Sequence, residues 1–284
     1  MSFKIGNRNS LHMTIKRASH YSLEIQLFPT TAIFCYNCVM NTTITDTASR
    51  AARNKAWAVH LFTAAGAIAG LNALIHILQG DVTGVLIWLV IALIIDAADG
   101  PLARRYRVDK VLPHVDGVVL DHVIDYSTYA LIPAIFLYQF KLVPPGWELA
   151  AAAVVVLSSL YCFANKELKT EDNFFTGFPA AWNLVVLGFY LLETAPVLNL
   201  ALVPLIAALT FAPIKVIHPF RVRAYRPLTI TFTLLWTALA FYLVIERKSS
   251  RNLFEYDPLF LWAFILVSAY FIIISLIRTF RGRL

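Results

Sequence analysis

The chain has 284 residues, 59% of them hydrophobic and only 14% charged, where an ordinary soluble domain has about a quarter charged. Apolar runs long enough for a bilayer recur along most of it, which excludes a soluble globular protein. The formal net charge of +7 does not point to nucleic acid, because the basic residues fall in short connections between apolar runs, where they set orientation and meet anionic lipid.

Residues 1–39 mix polar and apolar positions, contain no long span and show no signal-peptide pattern. They are expected to be an N-terminal extension, disordered or not native. Cys35 and Cys38 form a lone CxxC, too little for a metal or redox site. Met40 opens a polar stretch, and residues 40–56 read as a cytoplasmic juxtamembrane segment. Residues 57–284 read as one transmembrane catalytic domain.

The fold class expected is all-α and polytopic. Apolar runs predict about eight transmembrane helices, at 57–78, 83–103, 116–139, 147–165, 175–193, 198–217, 227–245 and 256–278. Turn formers mark the connections: Gly80, Pro144-Pro145-Gly146, Gly177, Pro196, Pro219 and Pro227. With these spans, sixteen lysines and arginines fall on one side and four on the other (Lys141, Arg247, Lys248 and Arg251). The excess places both termini in the cytoplasm.

Between the second and third spans lies IIDAADGPLARRYRVDKVLPHVDGVVLDHVIDY (94–126), with six aspartates, three arginines and a lysine. Charges cost several kcal/mol in hydrocarbon, so their presence at helix ends implies a purpose. Asp96 and Asp99 are three apart and project to one side of a helix. Gly117, Asp121 and Asp125 are four apart, a stripe that drifts by about 40° per step. Helices joined by a short loop pack as neighbours, so the two pairs can converge. Four carboxylates that close repel unless divalent cations neutralise them, and hard oxygen donors favour Mg²⁺, Mn²⁺ or Ca²⁺ over zinc. Gly100 and Ala103 leave room for a ligand beside the backbone, and the forked guanidinium of Arg104 suits a phosphate. Together these point to phosphoryl transfer. Residue chemistry alone also leaves open an ion-coupled transporter built on intramembrane carboxylates.

Asp96-x-x-Asp99-Gly100-x-x-Ala103-Arg104, followed by Gly117-x-x-x-Asp121-x-x-x-Asp125, resembles the signature of the CDP-alcohol phosphotransferases. Those integral membrane enzymes move a phosphate-bearing group from a CDP-linked donor to an alcohol and release CMP. The spacer at 105–116 is twelve residues, longer than in most of the family. That spacer, Pro101, the eight expected spans and FPAAWN at 178–183 resemble the family's bacterial branch that uses CDP-diacylglycerol and free choline. Serine, inositol or glycerol phosphate remain alternative acceptors.

The resemblance implies a family-like helical core in the bacterial inner membrane, with the active site on the cytoplasmic side and a homodimer. It implies that Asp96, Asp99 and Asp121 hold two Mg²⁺ or Mn²⁺ ions. Asp125 would touch the second ion and take the proton from choline's hydroxyl. Gly100, Ala103, Arg104 and Gly117 would contact the nucleotide and diphosphate. Arg221 and Arg223 are candidates for the donor lipid's phosphates, although a positive-inside anchor is the simpler role for that segment. Tyr126 and Trp182 are candidates for a cation–π contact with choline. Asp109 and Asp116 read as loop charges or a helix cap, and His114 and His122 as packing residues.

Overall fold

The computed structural model describes residues 49–165, 174–217, 222, 225–249 and 257–281, with three strands near the N-terminus. Those strands are β1 (Ser2–Ile5), β2 (Leu11–Lys16) and β3 (Ser22–Leu27), joined in antiparallel order β1-β2-β3. LHMTIK and SLEIQL alternate apolar and polar residues, the period of a strand, and the register sets Leu11 opposite Leu27 and Met13 opposite Ile25. The chain is therefore not helical throughout.

The helices are α1 (Arg50–Leu78), α2 (Val82–Tyr106), the single turn α3 (Val108–Val111), α4 (Gly117–Tyr126), α5 (Ile132–Gln139), α6 (Glu148–Ala164), α7 (Trp182–Leu191), α8 (Pro196–Leu209), α9 (Arg226–Ser249) and α10 (Pro258–Arg281). Ser127–Leu131 forms a π-turn between α4 and α5. Tyr126, Ser127, Leu131 and Ile132 all keep right-handed helical dihedrals, so Gly117 to Gln139 run as one continuous rod. Among the described residues, four helices are long and apolar enough to cross a membrane: α1, α2, residues Arg226–Arg247 of α9, and α10. At 1.5 Å per residue, α2 alone reaches about 37 Å, more than the roughly 30 Å of a hydrocarbon core.

By its contacts the chain divides into two units. One comprises Met1–Trp57 and Tyr106–Val115. In it the Lys55 ammonium stands 5.9 Å from the centre of the Tyr106 ring, and left-handed Arg107 (φ 49°) separates α2 from α3.

The other comprises Ala58–Arg105 and Asp116–Leu284 and contains the apolar core. Trp182, Leu137, Ile77 and Leu243 are fully buried there. Conversely, Leu61, Ile68, Leu71 and Leu78 on α1 are each more than half exposed, as a lipid-facing side requires. Gly66 and Gly70 let α1 come close to the rod: a Cβ on Gly66 would stand 2.9 Å from Ile124 Cγ2, and one on Gly70 3.2 Å from Ile132 Cδ1. This small-xxx-small pattern permits close packing of helices in lipid. At another place, Arg247 forms an ion pair with Glu193 at 3.2 Å, lies over the Tyr190 ring and donates to the Tyr190 carbonyl, fastening α9 to the end of α7.

Two expected helices are shorter than their apolar runs. The run from 175 becomes helical only at Trp182. Gly177 has φ 83°, and a Cβ there would stand 2.2 Å from the Thr210 carbonyl oxygen; Pro179 lacks an N–H and Ala180 is also left-handed. The Phe178 N–H bonds the Leu209 carbonyl at the end of α8, which also accepts from the Ala212 N–H. The run expected to 217 ends its helix at Leu209, four residues before Pro213. Its last residues form β5 (Lys215–Val216), antiparallel to β4 (Phe175–Thr176). Thr279 and Ser275 of α10 accept from the N–H groups of Lys215 and Ile217, so the strand pair is tied to the final helix.

Candidate active site

The site begins on α2, which runs through Pro101 to Tyr106 and carries Asp96, Asp99, Gly100, Ala103 and Arg104 in its last three turns. Proline costs one helical hydrogen bond but does not end the helix here. The opposing rod starts where Asp116 caps it: the Asp116 carboxylate accepts from the N–H groups of Val118 (2.9 Å) and Val119 (3.1 Å). This is the capping role anticipated for Asp116. The cap fixes the start of the turn from which Asp121 and Asp125 follow at helical spacing.

One oxygen each from Asp96, Asp99 and Asp121 lies within 4.8 Å of the others. Asp99 is buried, at 6% exposure, and the other two are half-buried. Oxygens sharing one hard cation at about 2.1–2.6 Å stand up to roughly 4–5 Å apart across the ion, so this trio matches Mg²⁺, Mn²⁺ or Ca²⁺ in both spacing and donor type. Asp125 stands outside that trio, one turn further along the rod.

Tyr129, which sequence reasoning missed, donates its hydroxyl to Asp96 Oδ2 at 2.8 Å and so joins the rod to α2 across the site. It also lies within electrostatic reach of Asp125 and Asp121. A signal was present: 121, 125 and 129 continue the four-residue stripe.

The remaining candidates divide. A Cβ on Gly100 would stand 3.3 Å from Arg104 Nη1, so the Arg104 side chain folds back over Gly100. Gly117 abuts buried His60, 3.1 Å from its Cε1 to the place of a Cβ. Ala103 is half-buried on the same helix. Tyr126 is half-buried and meets Phe163 edge-on at 5.9 Å, and His122 does so at 6.1 Å. Trp182 has no exposed surface and packs edge-on to Phe178 in the core, so packing accounts for this aromatic. Its early place in an expected helix gave no sign of this. Arg221 and Arg223 lie outside the described residues.

Long apolar helices, one of which brings Asp96 and Asp99 to Asp121 of the rod, define a helical membrane protein with a centre suited to a hard divalent cation. No family model matches the chain. It is, however, 45% identical over 227 residues to a phosphatidylcholine synthase of Pseudomonas aeruginosa, covering 80% of this chain and 93% of that one. It is 36% identical to that of Borreliella burgdorferi (80% and 96% covered) and 34% identical to that of Rhizobium johnstonii (81% and 92%). The chain belongs to the phosphatidylcholine synthase family.

Proposed function

We propose that the chain transfers the phosphatidyl group from CDP-diacylglycerol to choline, releasing CMP. The observation that carries this reading is the convergence of Asp96, Asp99 and Asp121 in a chain whose relatives are named for phosphatidylcholine synthesis. Held by Asp96, Asp99 and Asp121, with Asp125 toward a second ion, Mg²⁺ or Mn²⁺ would neutralise the donor's diphosphate.

The chain's own residues do the rest. Arg104, with Gly100 and Ala103 beside it and Gly117 at the start of the facing rod, orients the diphosphate and nucleotide. Asp125 accepts the proton of choline's hydroxyl while that oxygen bonds the phosphorus carrying diacylglycerol. The bond from this phosphorus to the CMP oxygen breaks, and CMP leaves with the electron pair. A positioned base of this kind contributes about 10²–10⁴-fold. Tyr126, beside Phe163, offers choline an aromatic face. Arg221 and Arg223 would supply positive charge for the donor's phosphates or the anionic lipid surface.

In the same reading, the rod 117–139 and the shorter apolar helices α6, α7 and α8 complete eight spans in a bacterial inner membrane. Both termini and the site lie on the cytoplasmic side, and two copies associate. Residues 1–39 are an extension dispensable for catalysis.

The test supplies purified protein with CDP-diacylglycerol, Mn²⁺ and a panel of choline, serine, inositol and glycerol phosphate, and measures CMP. Choline alone should support rapid release. Release with another alcohol and none with choline would reassign the acceptor.

A further inference from the structure

We propose that Tyr129 is a positioning residue that sets the orientation in which Asp96 meets Asp99 and Asp121. The inference rests on reading the trio as a metal centre. Three carboxylates this close repel one another, and an aspartate's terminal torsion is soft, so something must hold each group in place. For Asp96 that hold comes from the other helix: the Tyr129 hydroxyl donates to Oδ2 at 2.8 Å, bridging 33 positions of sequence. A hydrogen bond to an ionised acceptor is about twice as strong as a neutral one.

The backbone is shaped for this contact. In an uninterrupted α-helix, residue 129 would point about 80° away from the bearing of Asp121. The π-turn at Ser127–Leu131 is wider and advances less per residue, which keeps Tyr129 beneath Asp125 and turned toward α2. Below the bond the surroundings are apolar. Leu89, Leu93, Ile132 and Pro133 line part of a mostly apolar pocket of about 80 Å³ one turn further along α2 and the rod. Low polarity on that side strengthens the bond.

The experiment uses the full chain, purified in detergent, and follows free Mn²⁺ by electron paramagnetic resonance without substrate. Tyr129→Phe keeps the ring and removes only the hydroxyl, and its elution on size exclusion should match the parent. Mn²⁺ affinity should fall about 10–100-fold, the usual loss when the group that orients a ligand is removed. Turnover at saturating Mn²⁺ should be largely retained, a split that a merely structural defect would not give. In an Asp96→Asn background the same substitution should change Mn²⁺ affinity no further. Parental affinity in Tyr129→Phe, or an equal loss in both backgrounds, would overturn the proposal while leaving the metal reading intact. Absence of Mn²⁺ binding by the parent would overturn both. Neither outcome depends on which alcohol is the acceptor.

Discussion

Gly66→Ala probes the seam on which the site is hung. A Cβ at this position would stand 2.9 Å from Ile124 Cγ2 and 3.7 Å from Ile95 Cγ2, side chains whose next neighbours in sequence are Asp125 and Asp96. Carbon atoms rest about 3.5–4.0 Å apart, so the rod must back away from α1 by roughly 0.6–1 Å. Ile124 is 9% exposed and its Cγ2 is fixed to a branched Cβ, so the side chain has little room to yield. Overpacking of this kind costs about 1–3 kcal/mol, partly offset by the roughly 0.5–1 kcal/mol that alanine gains over glycine in a helix. Stability should therefore change modestly. Activity should not, because a displacement near 1 Å at a catalytic centre can cost about 10²-fold. The assay is CMP release at saturating choline, alongside thermal unfolding in detergent. Ile124→Leu, which removes the branch at Cβ, should restore activity in the same protein. Gly188→Ala, with nothing within 4 Å of the added atom, is the control and should leave activity intact. Full activity in Gly66→Ala would refute the idea that the α1 seam sets the carboxylate geometry.

Asp96→Asn and Asp121→Asn should each abolish turnover in a folded protein, and Asp121→Asn should weaken Mn²⁺ binding more than Asp125→Asn, which should slow the reaction while sparing it; equal Mn²⁺ affinities of the last two would end that division of roles. Cysteines placed at 108 and 168 should label only from the cytoplasmic side, and those at 144 and 249 from the opposite side; labelling of 108 from outside would remove the site from its nucleotide. Translation started at Met40, without residues 1–39, should preserve activity, and loss of activity at normal expression would give the strands before it a function.

The aspartate constellation was legible because chemistry and period coincide there. A three-residue and a four-residue spacing each put carboxylates on one helix face, and the glycine, alanine and arginine have fixed places beside them. The Asp116 cap was legible for the same reason, a short acceptor one residue before a helical run. Apolar content was a poorer guide to helix limits. At 175–181 and 210–217 it is as high as in a helix, but Gly177, Pro179 and Pro213 impose backbone that a hydropathy window does not register. Trp182 carries the same lesson: an aromatic near a site can belong to the core, and which face is buried depends on neighbours distant in sequence. Tyr129 continues the four-residue stripe of Asp121 and Asp125, but a straight helix would carry it about 80° from Asp121, and the π-turn that brings it back leaves no compositional trace. STYAL reads as ordinary helix, and only the partner across the gap reveals where its tyrosine points.

The π-turn also has a mechanical meaning. A helix is a rigid screw, so a face chosen at one end dictates the face presented at the other. The rod has two separate obligations: Asp121 must look toward α2 at its start, while Ile132, Phe136 and Leu137 must enter the core further on. A widened turn acts as one extra residue inserted between two phases of that screw, so each end can meet its own partner without compromising the other. Deleting a single residue within Ser127–Leu131 would put both ends back in one phase, about 100° from where one of them is needed. Chemistry and packing are thus uncoupled on the same helix, and sequence change on the deep half can proceed without re-aiming the carboxylates.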